Sequence, residues 1–240
     1  MSQYELTGAG KAFRRGSVTI HAVEAVDLVI EPGEFVALEG PSGSGKTTLL
    51  QLLGALDRPS SGHVVFEGRD LAGLRDGDLA ELRLRSFGFV FQQFNLIPTL
   101  TALENIQVKL APAGFSSVES RERAEALLAE VGLADRATHL PSHLSGGEQQ
   151  RVAIARALSV EPRVILADEP TGNLDTSTGT EIVEMLANLA ADRGTTIIVA
   201  THDIGLAGRA QRRLGVRDGR LLAVVADTPA GDVVGATGNS

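Results

Sequence analysis

Gly40-Pro41-Ser42-Gly43-Ser44-Gly45-Lys46-Thr47 decides how this chain is read. It fits the pattern of a glycine, four residues, then Gly-Lys and a hydroxyl residue. The apolar run Phe35-Val-Ala-Leu38 precedes it, and a Leu-rich helical pattern, Thr47–Leu56, follows and stops before Pro59. Strand, glycine loop and helix in that order form a phosphate cradle. Glycines let successive backbone N–H groups curl round an anion, because no Cβ blocks the turn. The helix end adds unpaired N–H groups and its dipole. Lys46 would set a mobile ammonium on the β- and γ-phosphates, and Thr47 would offer a hydroxyl to Mg²⁺. Gly40, Ser42, Gly43, Ser44, Gly45 and Thr48 complete the expected nucleotide contacts.

Working outward, Phe87–Phe91, Val164–Ala167 and Thr196–Ala200 read as strands. The last two are continuous apolar runs, as expected of strands buried on both faces of a parallel sheet. Helical patterns alternate with them. Ser116 with Glu119 fits a capping box, and Ala124, Leu127, Leu128 and Val131 follow at helical spacing until Gly132. Ile182, Met185, Leu186 and Leu189 form another stripe. The alternation predicts an α/β fold with mostly parallel strands. Residues 1–75 hold short strands and turns and predict an antiparallel β lobe. Residues 94–158 predict a helical insertion between the two parts of the sheet, at about 1–93 and 159–227. Asp218-Gly219 signals a late hairpin. The tail, residues 228–240, has little to bury and is expected to be mobile.

Two strand ends carry chemistry. Val164-Ile-Leu-Ala-Asp-Glu169 closes an apolar strand with two acids, where α/β sheets bind ligands. Asp168 would face Mg²⁺, and Glu169 could polarise an attacking water. His202 follows Thr196–Ala200, and its imidazole could hold a γ-phosphate or the water. Gln92 follows Phe87–Phe91 and could contact Mg²⁺ and water. Read alone, each is also compatible with an ordinary surface residue.

A second glycine loop, Leu144-Ser-Gly-Gly-Glu-Gln149, opens another helical run. It is a second anion-ready helix end. With this stretch the chain resembles an ATP-binding cassette (ABC) ATPase, over about residues 3–225. Gly40–Thr47 matches the Walker A motif, Val164–Glu169 Walker B, Leu144–Gln149 the signature motif, Gln92 the Q-loop, Asp175 in Gly172-Asn-Leu-Asp175 the D-loop, and His202 the switch histidine. Phe13 sits where the family places an adenine-stacking aromatic, although a Phe there could equally be core. Phe89–Leu96, Thr101–Asn105 and Asp168–Asp175 resemble the branch serving lipoprotein release, macrolide efflux and a cell-division complex. The resemblance implies a P-loop NTPase (RecA-like) core with ATP and Mg²⁺ as ligands, Mg²⁺ being held by Thr47, Gln92 and Asp168. It implies a homodimer in the ATP state, in which Ser145, Gly146, Gly147, Glu148 and Gln149 meet the partner's ATP and Asp175 couples the two sites. It also implies an integral membrane permease docked in a groove beside Gln92. Phe91, Phe94, Leu96, Ile97 and Leu100 could line that groove, or could pack an internal seam. Glu39 departs from expectation, since a neutral residue is expected beside the phosphate loop.

Composition bounds the function. There are 22 basic and 30 acidic residues, a formal charge of −8, and no cysteine. Thiolate metal sites and disulfides are excluded, and a broadly basic nucleic-acid surface is absent, so no nucleic-acid partner is expected. No run approaches the ~20 apolar residues of a membrane span, and no basic-then-apolar leader is seen. The chain is therefore expected to lie peripherally on the cytoplasmic side of a membrane. It is read as the ATP-hydrolysing subunit that powers a separate permease in export or extraction. The alternative is an ATP-driven regulatory switch acting through an FtsX-like membrane partner without transport. A soluble cassette of translation or DNA repair is disfavoured by the single cassette and by the 52 residues from Gln93 to Leu144, too few for an inserted coiled coil.

Overall fold

A computed structural model describes residues 2–222. The expected tail lies outside them. Two sheets organise the molecule. The first is antiparallel and uses β1 (Tyr4–Arg15), β2 (Val18–Ile30), β4 (Ser61–Phe66) and β5 (Arg69–Asp70) in the order β2-β1-β4-β5. This matches the lobe expected from the N-terminal turns. The second is built on β3 (Phe35–Glu39), β6 (Phe87–Phe91), β7 (Val164–Asp168), β8 (Thr196–Thr201), β9 (Arg212–Arg217) and β10 (Arg220–Leu221). Its order is β10-β9-β3-β8-β7-β6. Neighbours are parallel except β10, which returns from β9 through the Asp218-Gly219 hairpin.

The parallel strands are apolar on both faces because both faces are covered. The two-residue period sorts their side chains into two cores. Phe35, Ala37, Ile165, Ala167, Ile197 and Val199 join one core, shared with helices α3 (Ala102–Gln107), α4 (Ser117–Glu130), α5 (Gly146–Leu158) and α6 (Thr176–Arg193). Val36, Leu38, Val164, Leu166, Ile198 and Ala200 join the other, shared with α1 (Lys46–Leu53) and the antiparallel sheet. The sheet thus clamps the phosphate loop between its own carboxyl end and the β lobe.

Among the described residues no strand falls between β6 and β7, so the region read as a helical insertion is helical. Three of its helix starts use the same device. Thr101/Glu104, Ser116/Glu119 and Ser145/Glu148 each exchange side chain and backbone bonds in a capping box. Two differences from the sequence reading follow from local packing. Helix α1 stops at Leu53 rather than Leu56, because Gly54 ends it and Ala55 turns to a positive φ of 52°. Helix α2 (Asp76–Ser86) is short of apolar residues, burying only Leu79 and Leu82, which hides it from a search for apolar periodicity. A short α7 (Ile204–Ala207) follows β8, capped by Asp203. No helix among the described residues is long and apolar enough to cross a membrane.

Glu39 is explained by the sheet. It ends β3, and the neighbouring strand β9 carries Arg213, whose Nε and Nη2 both donate to the Glu39 carboxylate, the latter at 3.0 Å. The carboxylate beside the phosphate loop is therefore held by a guanidinium fork.

Candidate active site

The loop between β3 and α1 is shaped by close backbone approach. Gly45 caps α1 with φ of 107°, and a Cβ there would stand 2.3 Å from the Ala22 carbonyl oxygen. Only glycine fits. The loop is also tied to the late hairpin, since Gly219 N–H donates to Ser44 O at 2.9 Å. Lys46 is buried, 6% exposed, and its Nζ donates to the carbonyls of Gly40 (2.7 Å) and Pro41 (3.1 Å). Those carbonyls hold the ammonium across the cradle. Ser44 Oγ is buried without a hydrogen-bond partner. A buried hydroxyl beside a buried cation and a helix N-terminus is a donor set waiting for an anion.

The acids arrive from the next strands. Asp168 ends β7, and its Oδ1 accepts the Thr47 hydroxyl at 3.0 Å. Burial pushes the Asp168 carboxyl up, against the lowering effect of that hydroxyl bond; the Glu169 carboxylate adds to the rise. A desolvated carboxylate with a hydroxyl beside it suits a small hard cation that keeps most of its other ligands from phosphate and water. Among the described residues no cluster of three or more acidic or histidine ligands exists. Mg²⁺ bound mainly through a nucleotide needs none.

Glu169 follows with φ of 46°, a strained conformation for a non-glycine residue. It is fixed there by its N–H to Ala200 O (2.8 Å) and by Gly172 N–H to its own carbonyl (3.0 Å). The turn throws the carboxylate over the loop. Its Oε1 lies 3.8 Å from Lys46 Nζ, and its Oε2 lies 2.9 Å from His202 Nδ1 and accepts the His202 backbone N–H at 3.3 Å. Lys46, Thr47, Asp168, Glu169 and His202, spread over more than 150 positions, are thus brought to one corner.

The other expected residues sit elsewhere. Gln92 lies one residue past Phe91, which pairs with Asp168, but its Nε2 donates to Asn173 Oδ1 at 3.3 Å, and Asn173 Nδ2 returns a bond to Gln92 O at 2.9 Å. Sequence reading missed Asn173 although it lies inside the stretch Gly172–Asp175. Phe13 is 41% exposed, with Lys11 Nζ 5.2 Å from its ring centroid, so it is a surface ring and not core. Ser145, Gly146 and Gly147 open α5; among the described residues no hydrogen bond or ion pair joins them to the Gly40–Thr47 loop. Glu148 is engaged in the capping box and with Arg136 Nε at 3.1 Å, and Gln149 Nε2 donates to Leu144 O. Asp175 caps α6. The Ser177 hydroxyl and the Thr178 N–H and hydroxyl hold its carboxyl well below the usual carboxylate range. Two further residues pin the frame. Gln150, fully buried on α5, donates to Pro170 O next to Glu169 (2.6 Å). Arg156 clamps the carbonyls of Phe94 and Asn95, both at positive φ.

A glycine loop of this construction, at the carboxyl end of a parallel sheet with a helical insertion, defines a P-loop nucleotide-binding cassette. The sequence model of one family, "ABC transporter", matches residues 23–172. The chain belongs to the ABC transporter family. Curated relatives include the macrolide export ATP-binding/permease protein MacB of Azoarcus sp. (strain BH72), 50% identical over 91% of this chain and 33% of MacB. The lipoprotein-releasing system ATP-binding protein LolD of Syntrophus aciditrophicus (strain SB) is 50% identical over 88% of this chain and 95% of LolD. The chain spans about a third of the length of the MacB relatives it matches. Among solved structures, a dimeric ATP-binding cassette in a post-hydrolysis state with ADP and Pi shares a TM-score of 0.86 and 44% identity, covering 92% of this chain and 97% of that one.

Proposed function

We propose that this chain binds and hydrolyses ATP as one half of a head-to-tail dimer and powers a separate membrane permease from its cytoplasmic face, in export or extraction. The observation that carries the reading is an incomplete site. Lys46, Thr47, Asp168, Glu169 and His202 converge on one phosphate loop, while the second anion-ready helix end, Ser145–Gly147, stands apart from it. A second copy turned end for end supplies what each loop lacks. The MacB and LolD relatives, named for macrolide export and lipoprotein release, support a permease partner and the outward direction.

In this reading the backbone of Gly40–Gly45, the Ser44 hydroxyl and Lys46 hold the β- and γ-phosphates, with Ser42 and Thr48 at the rim and Phe13 against the base. Mg²⁺, held by Thr47 and Asp168 with Gln92, would neutralise charge on the phosphate oxygens. Lys46 leaves its carbonyl partners for the γ-phosphate. Glu169 orients a water for in-line attack and takes up its proton. His202 holds Glu169 in place through the 2.9 Å contact and steadies the γ-phosphate. Ser145, Gly146 and Gly147, with Glu148 and Gln149 stiffening the helix start, close on the partner's nucleotide. Asp175 couples the two sites. ATP joins the halves and its hydrolysis releases them, a population shift driven by the γ-phosphate.

Ser145→Arg tests the dimer. The lost cap costs only about 1 kcal/mol, too little to unfold a domain. In a Glu169→Gln background, which retains ATP, sizing chromatography should show an ATP-dependent dimer that disappears when Ser145→Arg is added, while ATP binding persists. An unaltered ATP-dependent dimer in the double variant overturns the head-to-tail arrangement.

A further inference from the structure

The β1–β2 hairpin that carries Phe13 has no core at its outer end. Phe13, Val18 and Ile20 are exposed there, and Phe13 pairs with Ile20 across the two strands. The ladder does not run evenly beneath it. Twice β2 gains one residue on β1, between Ala9↔Val26 and Lys11↔Val23 and again between Lys11↔Val23 and Ala12↔His21. Bulges of this kind bend a ribbon and re-aim its side chains. The second leaves Ala22 without a partner in the register, and the Ala22 carbonyl is the group that abuts Gly45 of the phosphate loop. The bend in the hairpin therefore lies against the loop. Lys11 sits between the two irregularities. Its Nζ pairs with Asp57 Oδ1 at 2.5 Å and donates to Arg58 O at 2.9 Å, in the segment that follows α1. The same ammonium stands over the Phe13 ring, 5.2 Å from its centroid. Two backbone bonds complete the clasp: Ser60 N–H donates to Gly10 O (2.7 Å), and Ala12 N–H donates to Ser60 Oγ (3.1 Å). A lysine side chain only 13% exposed, held by an acid, a carbonyl and a ring, is more than a surface ion pair.

We propose that Lys11 is the positioning residue of the base platform. It fixes the Phe13 ring beside the bend of β2, in the pose on which a nucleotide base stacks. The proposal rests on the placement of Phe13 against the base in the reading above and names the group that sets that placement. Lys11 acts through Phe13 and not on the reacting phosphates. Its effect has two parts. A cation over the ring draws on the π electrons and makes the ring a better partner for a second π system. The tether to Asp57 and Arg58 O also orders the ring before the base arrives. Without it, ordering the hairpin becomes a cost of each binding event. That cost falls on nucleotides and not on bare phosphate, because the phosphate loop is carried by β3 and α1.

Titration calorimetry of the full chain with ADP and with inorganic tripolyphosphate separates the base from the phosphates. Lys11→Met keeps the length of the stem and removes the charge. It should weaken ADP binding about threefold to tenfold and leave tripolyphosphate binding within about twofold of the parent. In turnover, the KM for ATP should rise by the same factor with kcat held. Lys11→Arg keeps a cation for both Asp57 and the ring, and should restore ADP affinity to within about twofold of the parent. In a Phe13→Ala background, adding Lys11→Met should not weaken ADP further, since the ring it positions is gone. Unchanged ADP affinity in Lys11→Met overturns the proposal. Equal losses for ADP and tripolyphosphate assign Lys11 to general support of the lobe and overturn it too, as do additive losses in the Phe13→Ala background. If Phe13→Ala alone leaves ADP affinity unaltered, the base does not rest on Phe13, and that reading and this proposal fall together.

Discussion

Gly147→Ala separates packing from the proposed nucleotide contact at the start of α5. A Cβ on Gly147 would lie 2.4 Å from Thr178 Cγ2 on α6. Ordinary carbon contact begins near ~3.5 Å, so the two helices must part by roughly 1 Å or Thr178 must rotate. Rotation is resisted because the Thr178 hydroxyl donates to Asp175 Oδ2 at 2.7 Å, in the network that caps α6. Overpacking of this kind costs about 1–3 kcal/mol. Against it, alanine is favoured over glycine in a helix by up to ~1 kcal/mol. The net expectation is a loss of about 0–3 kcal/mol in urea unfolding of the nucleotide-free chain. The sign test is the partner substitution. Thr178→Ser deletes the offending methyl and keeps the hydroxyl bond, so in that background Gly147→Ala should become neutral or stabilising. The double-mutant cycle should return a coupling of about 1–3 kcal/mol. A coupling within ~0.3 kcal/mol of zero would refute the steric argument and leave Gly147 to be explained by the nucleotide alone.

Two further outcomes concern the acids. Glu169→Gln should keep ATP affinity while phosphate release falls by about 10²-fold or more; near-normal turnover removes Glu169 from the role of base. Asp168→Asn should abolish Mg²⁺-dependent turnover yet raise the thermal midpoint of the nucleotide-free chain at pH 7. Its folded-state pKa is raised by burial, so the native chain holds that proton more tightly than the unfolded one, and stability is lost as pH rises through the window from the ordinary carboxylate value up to the raised one. The advantage of the Asn variant should vanish below about pH 3, where both states are protonated. An Asn variant less stable than the parent at pH 7 contradicts the desolvation argument.

Local sequence determined a great deal here. The phosphate loop, the strand runs, the Ser116/Glu119 capping box and the Asp-Gly hairpin are short-range patterns whose physics acts within a few residues, and each stands where the pattern put it. The paired acids Asp168-Glu169 and His202 could be placed at strand ends for the same reason. Three things were decided only by the tertiary structure. Glu39, unaccountable as a lone acid, is satisfied by Arg213 from 174 positions away. Gln92 is tied by two hydrogen bonds to Asn173, 81 positions away, a partner that no local pattern indicates. Lys11 meets the Asp57 carboxylate, 46 positions on, only once β1 lies against the segment that follows α1. A sequence records which charges a chain carries. Whether a charge is paired, strained or left waiting depends on what the fold packs against it, because desolvation and Coulomb attraction act through space and not along the chain.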